Sequence, residues 1–386
     1  MEIICNQSEL NNAIQLVSKA VASRPTHPIL ANILLTADQG TNKVSLTGFD
    51  LNLGIQTSFD ATVKNSGAIT IPSKILSEIV NKLPTETPVI IEVDQDSDNI
   101  SIKSDRGSFK LKGIPSDDYP NLPFVESGTS LNIDPSSFVK ALKLTVFASS
   151  NDDSKQLLTG VNFTFKQNYL ESASTDGHRL AVVLIGNEDT IQNNKESLSA
   201  SVENFSVTIP TRSLREIEKL ISLRSSENSI KLFYDKGQVV FISSNQIITT
   251  RTLEGDYPNY SQLIPDTFSK NFIFNTKILI DALERIAILA DQQSSVVKIN
   301  LGENDLAVIS ADAQDIGSAN ESIPVSYSGE VFDIAFNVRY LLEGLKVISC
   351  ENVILKCNLS TTPAVFVPDD NINSFTYLVM PVQVRS

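Results

Sequence analysis

The stretch "ASTDGHRLAV", residues 173–182, brings together the residue types of a hydrolase active site. Ser174, Asp176 and His178 alternate along it, so in an extended strand their side chains would share one face. A serine hydrolase places its nucleophile on a strained elbow such as G-x-S-x-G beside an oxyanion hole, and the sequence has neither motif. We therefore expect no catalytic residues here, with a hydrolase built on these three side chains as the alternative.

Motifs for phosphate groups and metal ions are also missing from the sequence. There is no G-x-G loop, no G-K-S or G-K-T, and no H-E-x-x-H. Three cysteines without a C-x-x-C pair, and only two histidines, predict buried free thiols rather than a zinc site. Paired acids such as Asp152-Asp153 lie in polar stretches typical of solvated loops. We expect neither a metal nor a cofactor.

Bulk properties limit the class of protein. The 386 residues exceed what one core usually supports, and 41% hydrophobic with 20% charged residues is typical of a globular protein. No stretch reads as a signal peptide or a membrane span, so we expect a cytoplasmic protein with no membrane partner. The net charge of −14 argues against coating nucleic acid with the whole surface, but it permits a local basic surface.

An internal repeat organises the chain. A β-branched strand followed by a helix with apolar residues at three-to-four spacing occurs three times, in "AITIPSKILSEIVNKL" (68–83), "SVTIPTRSLREIEKL" (206–220) and "DIAFNVRYLLEGLKVI" (333–348). Pro72 and Pro210 are 138 residues apart, and Asn337 takes their place in the third copy. Tyr119 and Tyr257, in Y-P-N motifs, each follow the proline by 47 residues and are interpreted as linkers between copies.

Each copy opens with a further helix. The three opening helices are predicted at 8–23, 134–150 and 275–292, with Ser8, Asp134 and Asn275 as N-caps. Short alternating segments between the helices predict antiparallel strands. The fold class is thus α+β, with three repeated modules of two helices on a curved antiparallel sheet, divided at residues 1–125, 126–262 and 263–386.

Positive charge is concentrated in the predicted helices. Their six segments sum to +6, which leaves −20 for the rest of the chain. Lys74, Arg212 and Arg339 occupy matching positions early in a helix of each copy. Helices often carry Lys and Arg without further meaning, but the recurrence favours contact with the backbone of a polyanion. Because no aromatic residues accompany these bases, duplex is favoured over single-stranded nucleic acid.

The repeat also separates two kinds of residue in the opening stretch. Asp176 has counterparts at Asp50 and Asp312, so it is interpreted as a turn residue that binds local backbone amides. Gly177, His178 and Arg179 belong to the middle copy alone. These three are therefore the specialised residues of the segment.

The chain resembles the β-subunit family of bacterial DNA polymerase III, the replicative sliding clamps. The resemblance runs end to end through "SRPTHPIL", "LTGFDL", "STDGHRLAV", "GDYP", "VSYSGE", "IAFNV", "ISCENV" and "YLVMPVQV". It implies a head-to-tail homodimeric ring around double-stranded DNA, a processivity factor without catalysis. The implied partners are the polymerase III catalytic subunit, the clamp loader and other clamp-binding replication and repair proteins.

The resemblance also assigns site residues. For DNA binding it implies Arg24, Lys74, Arg212, Asp152, Gln156 and Leu157, where Gln156-Leu157 replaces an aromatic pair of better-known members. For a pocket that takes a short apolar partner peptide, between the second and third modules, it implies Leu158, Thr175, Gly177, His178, Arg179, Leu180, Pro258, Leu263, Tyr327, Met380, Pro381 and Val382. For the dimer interface it implies Phe109 and Leu111 against Ile288 and Leu289.

Two departures from the family pattern bear on peptide preference, namely Gln262 in place of an arginine and V-Q-V in place of M-R-L near the end. Leucine, proline, methionine and valine would form the floor of the pocket, with His178 and Arg179 as polar rim contacts. A repeat scaffold that binds proteins but no nucleic acid remains a further alternative.

Overall fold

The computed structural model describes the chain except for residues 23, 95–96, 106, 124, 126–128, 166–168, 187–204, 223–228, 236, 244, 291–294, 304, 314–315, 329, 371–374 and 384–386. The described part contains six α-helices, all at predicted places: α1 (Gln7–Val17), α2 (Ser73–Val80), α3 (Pro135–Thr145), α4 (Thr211–Ser222), α5 (Thr276–Ala290) and α6 (Val338–Leu345). It also contains 3-10 helices at Ser18–Ala20, Pro28–Ala31, Ser116–Asp118, Val146–Ala148, Asp153–Thr159 and Ser261–Leu263.

Helix capping follows the sequence in part. The Asn275 side chain accepts a hydrogen bond from the Ile278 amide at 3.1 Å, as predicted for a cap. The prediction of Ser8 as a cap is wrong, because helix α1 begins one residue earlier and its N-cap is Asn6. The Asn6 Oδ1 atom accepts the Ser8 amide at 2.9 Å. In the third repeat Asn337 caps α6 by accepting the amides of Arg339 and Tyr340.

The chain divides into two compact units, residues 1–135 with 216–252 and residues 136–215 with 253–386. The first unit holds two antiparallel sheets. The five-stranded sheet has the order β5 (Thr62–Asn65), β1 (Glu2–Asn6), β7 (Pro88–Asp94), β8 (Asn99–Ser104), β9 (Gly107–Lys112). The eight-stranded sheet has the order β10 (Thr129–Ile133), β15 (Ile230–Asp235), β16 (Gln238–Ser243), β17 (Gln246–Arg251), β4 (Leu53–Asp60), β3 (Lys43–Phe49), β2 (Asn32–Asp38), β6 (Gly67–Pro72).

The second unit also holds two antiparallel sheets. The nine-stranded sheet has the order β14 (Phe205–Pro210), β11 (Gly160–Phe165), β12 (Tyr169–Thr175), β13 (Arg179–Gly186), β26 (Phe375–Val379), β25 (Ala364–Pro368), β24 (Asn352–Cys357), β18 (Lys270–Asn275), β22 (Ser326–Ser328). The four-stranded sheet has the order β21 (Gly317–Pro324), β20 (Leu306–Ala313), β19 (Val296–Glu303), β23 (Phe332–Asn337).

The large sheets join consecutive repeats. In the eight-stranded sheet β17 of the second repeat pairs with β4 of the first, and in the nine-stranded sheet β13 of the second repeat pairs with β26 of the third. The sequence suggested one sheet for each module. Pairing across the repeats satisfies backbone groups that would otherwise lie open at sheet edges. The middle repeat therefore contributes strands to both compact units.

A large apolar core supports the second unit. Helices α5 and α6 pack on its strands, and Leu283, Ile286, Phe336 and Tyr377 are buried together there. Helix α6 approaches β26 very closely, since a Cβ atom at Gly344 would lie 2.0 Å from the Tyr377 ring. Glycine at this position is thus required for the helix to pack against the strand.

Candidate binding site

The turn between β12 and β13 is built around Asp176. Its Oδ1 atom accepts the amides of His178 at 2.8 Å and Arg179 at 3.0 Å, as the sequence predicted for a turn residue. Gly177 has φ +93°, in the left-handed region that favours glycine. Thr175 stabilises the turn, because its hydroxyl donates to the Arg179 carbonyl at 2.6 Å and accepts the Gly177 amide at 3.1 Å.

The Arg179 side chain is buried in this turn, with only 6% of its surface exposed. Its Nε donates to Asp176 Oδ2 at 3.1 Å, one terminal nitrogen to Glu343 at 2.7 Å and the other to the Phe147 carbonyl at 2.9 Å. Burial opposes its charge, but Tyr377, Glu343 and Asp176 outweigh that effect and raise the pKa of Arg179. This arginine holds the turn together, so its side chain is not an open rim contact.

Helix α6 forms the wall behind the turn. The Tyr340 ring stacks beside His178 with centroids 6.2 Å apart, and the Arg179 guanidinium lies 4.6 Å from the centre of the same ring. Residues of α6, the turn and the segment 149–155 line a polar cleft of about 520 Å³. Lys155 reaches across it to donate to the Asp176 carbonyl at 3.1 Å.

His178 of the turn contacts Met380, the residue that follows strand β26. The Met380 amide donates to the His178 carbonyl at 2.9 Å, while the His178 side chain stays exposed and Met380 is 38% exposed. The next residues turn back toward β23, since the Val382 amide donates to the Ala335 carbonyl at 2.8 Å. His178 and Met380, 202 residues apart in sequence, are thus neighbours with exposed side chains.

A buried apolar cluster continues from this point along the nine-stranded sheet. Leu180 packs with Leu378, Val365 and Val367, and the segment that contains Tyr260, Ile264 and Phe268 lies against them. Leu263, 51% exposed, and Pro258, exposed, belong to the same connecting segment. The Tyr257 hydroxyl accepts the Thr175 amide at 3.1 Å, which anchors this segment to the turn. The buried apolar cluster and the polar turn are therefore contiguous.

The remaining pocket candidates have separate placements. Leu158 is half-buried at the end of the 3-10 helix before β11, and Pro381 is half-buried beside Met380. Tyr327 lies on the edge strand β22, four strands from β26, where its ring stacks on Phe272 at 6.0 Å. The structure brings Thr175, Gly177, His178, Arg179 and Met380 into direct contact, and the pocket as a whole stays a prediction.

The hydrolase alternative is not supported by this geometry. Ser174 is fully buried and its hydroxyl donates to the Thr145 carbonyl, not to an activating base. Asp176 binds the turn amides and Arg179, while His178 faces Tyr340. A triad needs the serine hydroxyl on the histidine and the histidine on the carboxylate.

The basic candidates recur in one position of the fold. Lys74, Arg212 and Arg339 are each the second residue of their helix, and each is exposed. Arg24 is exposed after the end of α1. The repeat therefore presents one cation at the start of α2, α4 and α6.

The loop at 151–157 is shaped by its own contacts. Asp152 caps the 3-10 helix by accepting the Ser154 amide at 3.0 Å, and hydrogen bonds from Ser154 lower the pKa of its carboxyl. Gln156 is exposed, whereas Leu157 packs on Gly255. A Cβ atom added to Gly255 would lie 3.1 Å from the Leu157 side chain. Leu157 is therefore occupied with packing inside its unit.

The interface candidates lie on exposed surfaces of their units. Phe109, 39% exposed, and Leu111 belong to β9, the last strand of the five-stranded sheet. Ile288, 67% exposed, and Leu289 lie near the end of α5, which packs on β20 and β21. Strand β21 is the last strand of the four-stranded sheet.

The possible metal ligands, the cysteines and the hydropathy of the helices lie outside these candidate sites. Within the described residues no cluster of histidine, cysteine, aspartate and glutamate fits a metal ion. Cys5 and Cys357 are buried free thiols as predicted, and burial raises the pKa of each to about 12, while Cys350 is half-buried. None of the helices in the described ranges has the length and hydropathy to cross a membrane.

Sequence reasoning missed the supports of the turn. Phe147, Tyr340 and Glu343 contact Arg179 from distant positions in the chain, and no short motif marks them. Tyr257 has a signal in the sequence, because its Y-P-N motif recurs, but the motif indicates only a linker. Its hydroxyl contact with Thr175 shows that it also anchors the turn.

The fold and the site together define a repeat protein with exposed apolar residues beside a polar turn. Comparison with known proteins gives the family. Models of the DNA polymerase III beta subunit match residues 1–123 (N-terminal domain), 132–259 (central domain) and 261–383 (C-terminal domain). The chain is 46% identical to the beta sliding clamp of Synechococcus elongatus and 31% identical to that of Bacillus subtilis, covering 99% or more of each.

Solved structures agree with this assignment. The sliding clamp of Bacillus subtilis is similar over the full length of both chains, with a TM-score of 0.91 at 29% identity. A beta subunit from Pseudomonas aeruginosa bound to griselimycin is similar over the full length of both chains, with a TM-score of 0.91 at 26% identity. The chain belongs to the three-domain sliding clamps of DNA polymerase III, the processivity factors that tether the polymerase.

Proposed function

We propose that two copies of this chain close head to tail into a ring around double-stranded DNA. The arrangement of the sheets carries this proposal. In the eight-stranded sheet β17, the outermost strand contributed by the second repeat, pairs with β4, the outermost strand contributed by the first. In the nine-stranded sheet β26, the outermost strand contributed by the third repeat, pairs in the same way with β13 of the second. By the same rule β9 of the first repeat should pair with β21 of the third.

A second copy supplies the partner for this last pairing. Strands β9 and β21 are each the edge of their own sheet among the described residues. Five and four strands would then join into nine, the number in the existing joint sheet of the second and third repeats. Because β9 and β21 are different surfaces, the contact is heterologous, and two such contacts close a ring. Phe109 and Leu111 would lie at this seam, with Ile288 and Leu289 beside it.

The oligomeric state tests the ring. Phe109→Asp with Leu111→Asp places charges on the proposed seam, and we expect the dimer to dissociate in analytical ultracentrifugation. Ile75→Asp, at an exposed apolar residue of α2, is the matched control and should stay dimeric. Retention on nicked circular DNA should vanish when the circle is cut. A monomeric unaltered chain, or equal retention on linear DNA, would contradict the ring.

The recurring bases support DNA as the content of the ring. Lys74, Arg212 and Arg339 would face the phosphates without reading sequence, with Arg24 and the loop at 152–157 as further candidate contacts. Reversing all three helix cations to Glu should weaken retention on circular DNA strongly, since each phosphate contact adds to the salt-dependent affinity. Reversing Lys43, Lys231 and Lys298, exposed on strands, gives the same change in net charge and should have little effect.

The turn at Asp176 and the exposed apolar residues next to it form the proposed partner pocket. An apolar peptide of the polymerase catalytic subunit, the clamp loader or a repair protein would contact the exposed Leu263 and Met380 above the buried cluster of Leu180, Val365 and Leu378. Leu263→Ser with Met380→Ala should weaken binding of the catalytic subunit in surface plasmon resonance. Leu359→Ser, at an exposed leucine elsewhere in the unit, is the control.

The remaining assignments follow from this function. The domains are proposed to span 1–125, 126–262 and 263–386. The chain is proposed to act without catalysis, with no metal or cofactor, in the cytoplasm where bacterial DNA is replicated. A search for ester or amide hydrolysis by the purified chain tests the absence of catalysis, and turnover that is lost in His178→Ala would overturn it.

A further inference from the structure

Glu343 is the carboxylate through which helix α6 holds the turn at Asp176. It lies 2.7 Å from a terminal nitrogen of Arg179, which is almost fully buried, whereas Glu343 is 49% exposed. The guanidinium also donates to Asp176 within the same turn and to the Phe147 carbonyl. Among the described residues, Glu343 is thus the one charged group outside the turn to which Arg179 donates a hydrogen bond.

The same helix supports both sides of the proposed pocket. Tyr340, three residues before Glu343, stacks beside His178 and under Arg179. Its carbonyl accepts the hydroxyl of the buried Tyr377 at 2.7 Å, in the strand that leads to Met380. The Met380 amide in turn donates to the His178 carbonyl at 2.9 Å, which links the end of that strand back to the turn. A shift of the turn relative to α6 would therefore move His178 and Met380 together.

We infer that Glu343 is a positioning residue for partner binding, acting through Arg179 and without touching the partner. The inference rests on the proposed function of the pocket. A charge-assisted hydrogen bond to a guanidinium fixes direction as well as distance. Without it, part of the binding energy would go into ordering the turn, so affinity would fall while the fold stays intact.

The first test compares two ion pairs, one formed by helix α6 and one at its C-terminal end. Glu343→Gln keeps the size of the side chain and removes its charge. Glu284→Gln is the matched control, because Glu284 of α5 pairs at 2.7 Å with Lys346, the C-cap of α6, and is 48% exposed. We expect Glu343→Gln to weaken binding of the polymerase III catalytic subunit roughly tenfold, the loss of one charge-assisted bond. Glu284→Gln should change it less than about twofold, as for a surface pair.

Melting temperature and rescue separate positioning from general stability. Glu343→Asp restores the carboxylate and should recover part of the affinity, and both Gln variants should melt within a few degrees of the unaltered chain. Unchanged affinity in Glu343→Gln would overturn the inference, as would a tenfold loss in Glu284→Gln. If the unaltered chain fails to bind the catalytic subunit, the proposed function falls and the inference falls with it.

A double-mutant cycle decides whether Glu343 acts through Arg179. In an Arg179→Met background, Glu343→Gln should cause no further loss of affinity, because the group that it positions is gone. A further tenfold loss in that background would mean that Glu343 contacts the partner directly, and it would overturn the inference. Hydrogen exchange at the His178 and Arg179 amides adds an independent readout, with faster exchange expected in Glu343→Gln alone.

Discussion

The turns at Asp50 and Asp176 have the same construction in two different repeats. Asp50 accepts the amides of Asn52 and Leu53 at 3.0 and 2.8 Å, as Asp176 accepts those of His178 and Arg179. The next residue has positive φ in both turns, +74° at Leu51 and +93° at Gly177. Each turn thus rests on an acid that binds two amides two and three residues further on.

A tyrosine anchor is also common to the two turns. The Tyr119 hydroxyl donates to the Thr47 carbonyl at 3.2 Å, in the strand before Asp50. The Tyr257 hydroxyl accepts the Thr175 amide, in the strand before Asp176. Burial raises the pKa of both tyrosines, so both hydroxyls stay neutral at physiological pH. Acid and tyrosine therefore belong to the fold.

The difference lies in the three residues after the acid. Leu53 is buried as an ordinary apolar residue, while Arg179 at the same position is buried with two carboxylates and two aromatic rings. His178 occupies the place of Asn52 and stays exposed beside Met380. The comparison teaches that the two repeats share one turn design, and under the proposed function the second repeat uses it for partner binding.

The largest expected effect is at Arg179. Arg179→Ala should lower the free energy of unfolding by about 3 kcal/mol, because it leaves the Asp176 carboxylate without its cation in a nearly closed site. Arg179→Met keeps the packing volume and should cost less. Urea unfolding followed by circular dichroism measures both. A loss below about 1 kcal/mol in Arg179→Ala would remove the difference between the two turns.

Much of this fold follows from the sequence. Six helices and the alternation of strands were predictable from periodicity, and the turn role of Asp176 from its recurrence at Asp50. The pairing of β17 with β4 and of β13 with β26 was not predictable, because strand periodicity fixes which face is buried but not which neighbour is chosen. The sharing of sheets between repeats is therefore a result of the structure.

The second expected effect concerns the charge of the two acids. Asp176→Asn and Asp50→Asn both keep the oxygen that accepts the turn amides. Asp176→Asn should cost about 1.5 kcal/mol of unfolding free energy, since it weakens the ion pair with buried Arg179. Asp50→Asn should cost less than about 0.5 kcal/mol. Equal losses in the same urea titration would mean that the charge of Asp176 has no special role.

A smaller effect tests the backbone of the turns. Gly177→Ala should cost about 1 kcal/mol through strain at positive φ alone, since a Cβ atom there would come no nearer than 3.8 Å to Lys155. Leu51→Ala should change stability by less than about 0.5 kcal/mol, because Leu51 already bears that strain and is exposed. Thermal unfolding compares the two variants. A neutral Gly177→Ala would show that glycine serves another purpose there.

The candidate site was predictable only in its exposed parts. Gly177, His178 and Arg179 stood out because the other repeats lack them, but the sequence suggested rim contacts for both His178 and Arg179. Arg179 turned inward because Asp176, Glu343 and the Phe147 carbonyl offer it three partners at once. Such long-range partners depend on tertiary packing, which local spacing does not encode.

Partner binding by matched variants of the two turns tests the central claim most directly. His178→Ala and Asn52→Ala remove the corresponding exposed side chain in the second and first repeats. Surface plasmon resonance with the polymerase III catalytic subunit should show roughly tenfold weaker binding for His178→Ala, as for a residue that contacts the partner, and no change for Asn52→Ala. Equal affinity of both variants and the unaltered chain would contradict the claim that the second repeat uses the turn at Asp176 for partner binding.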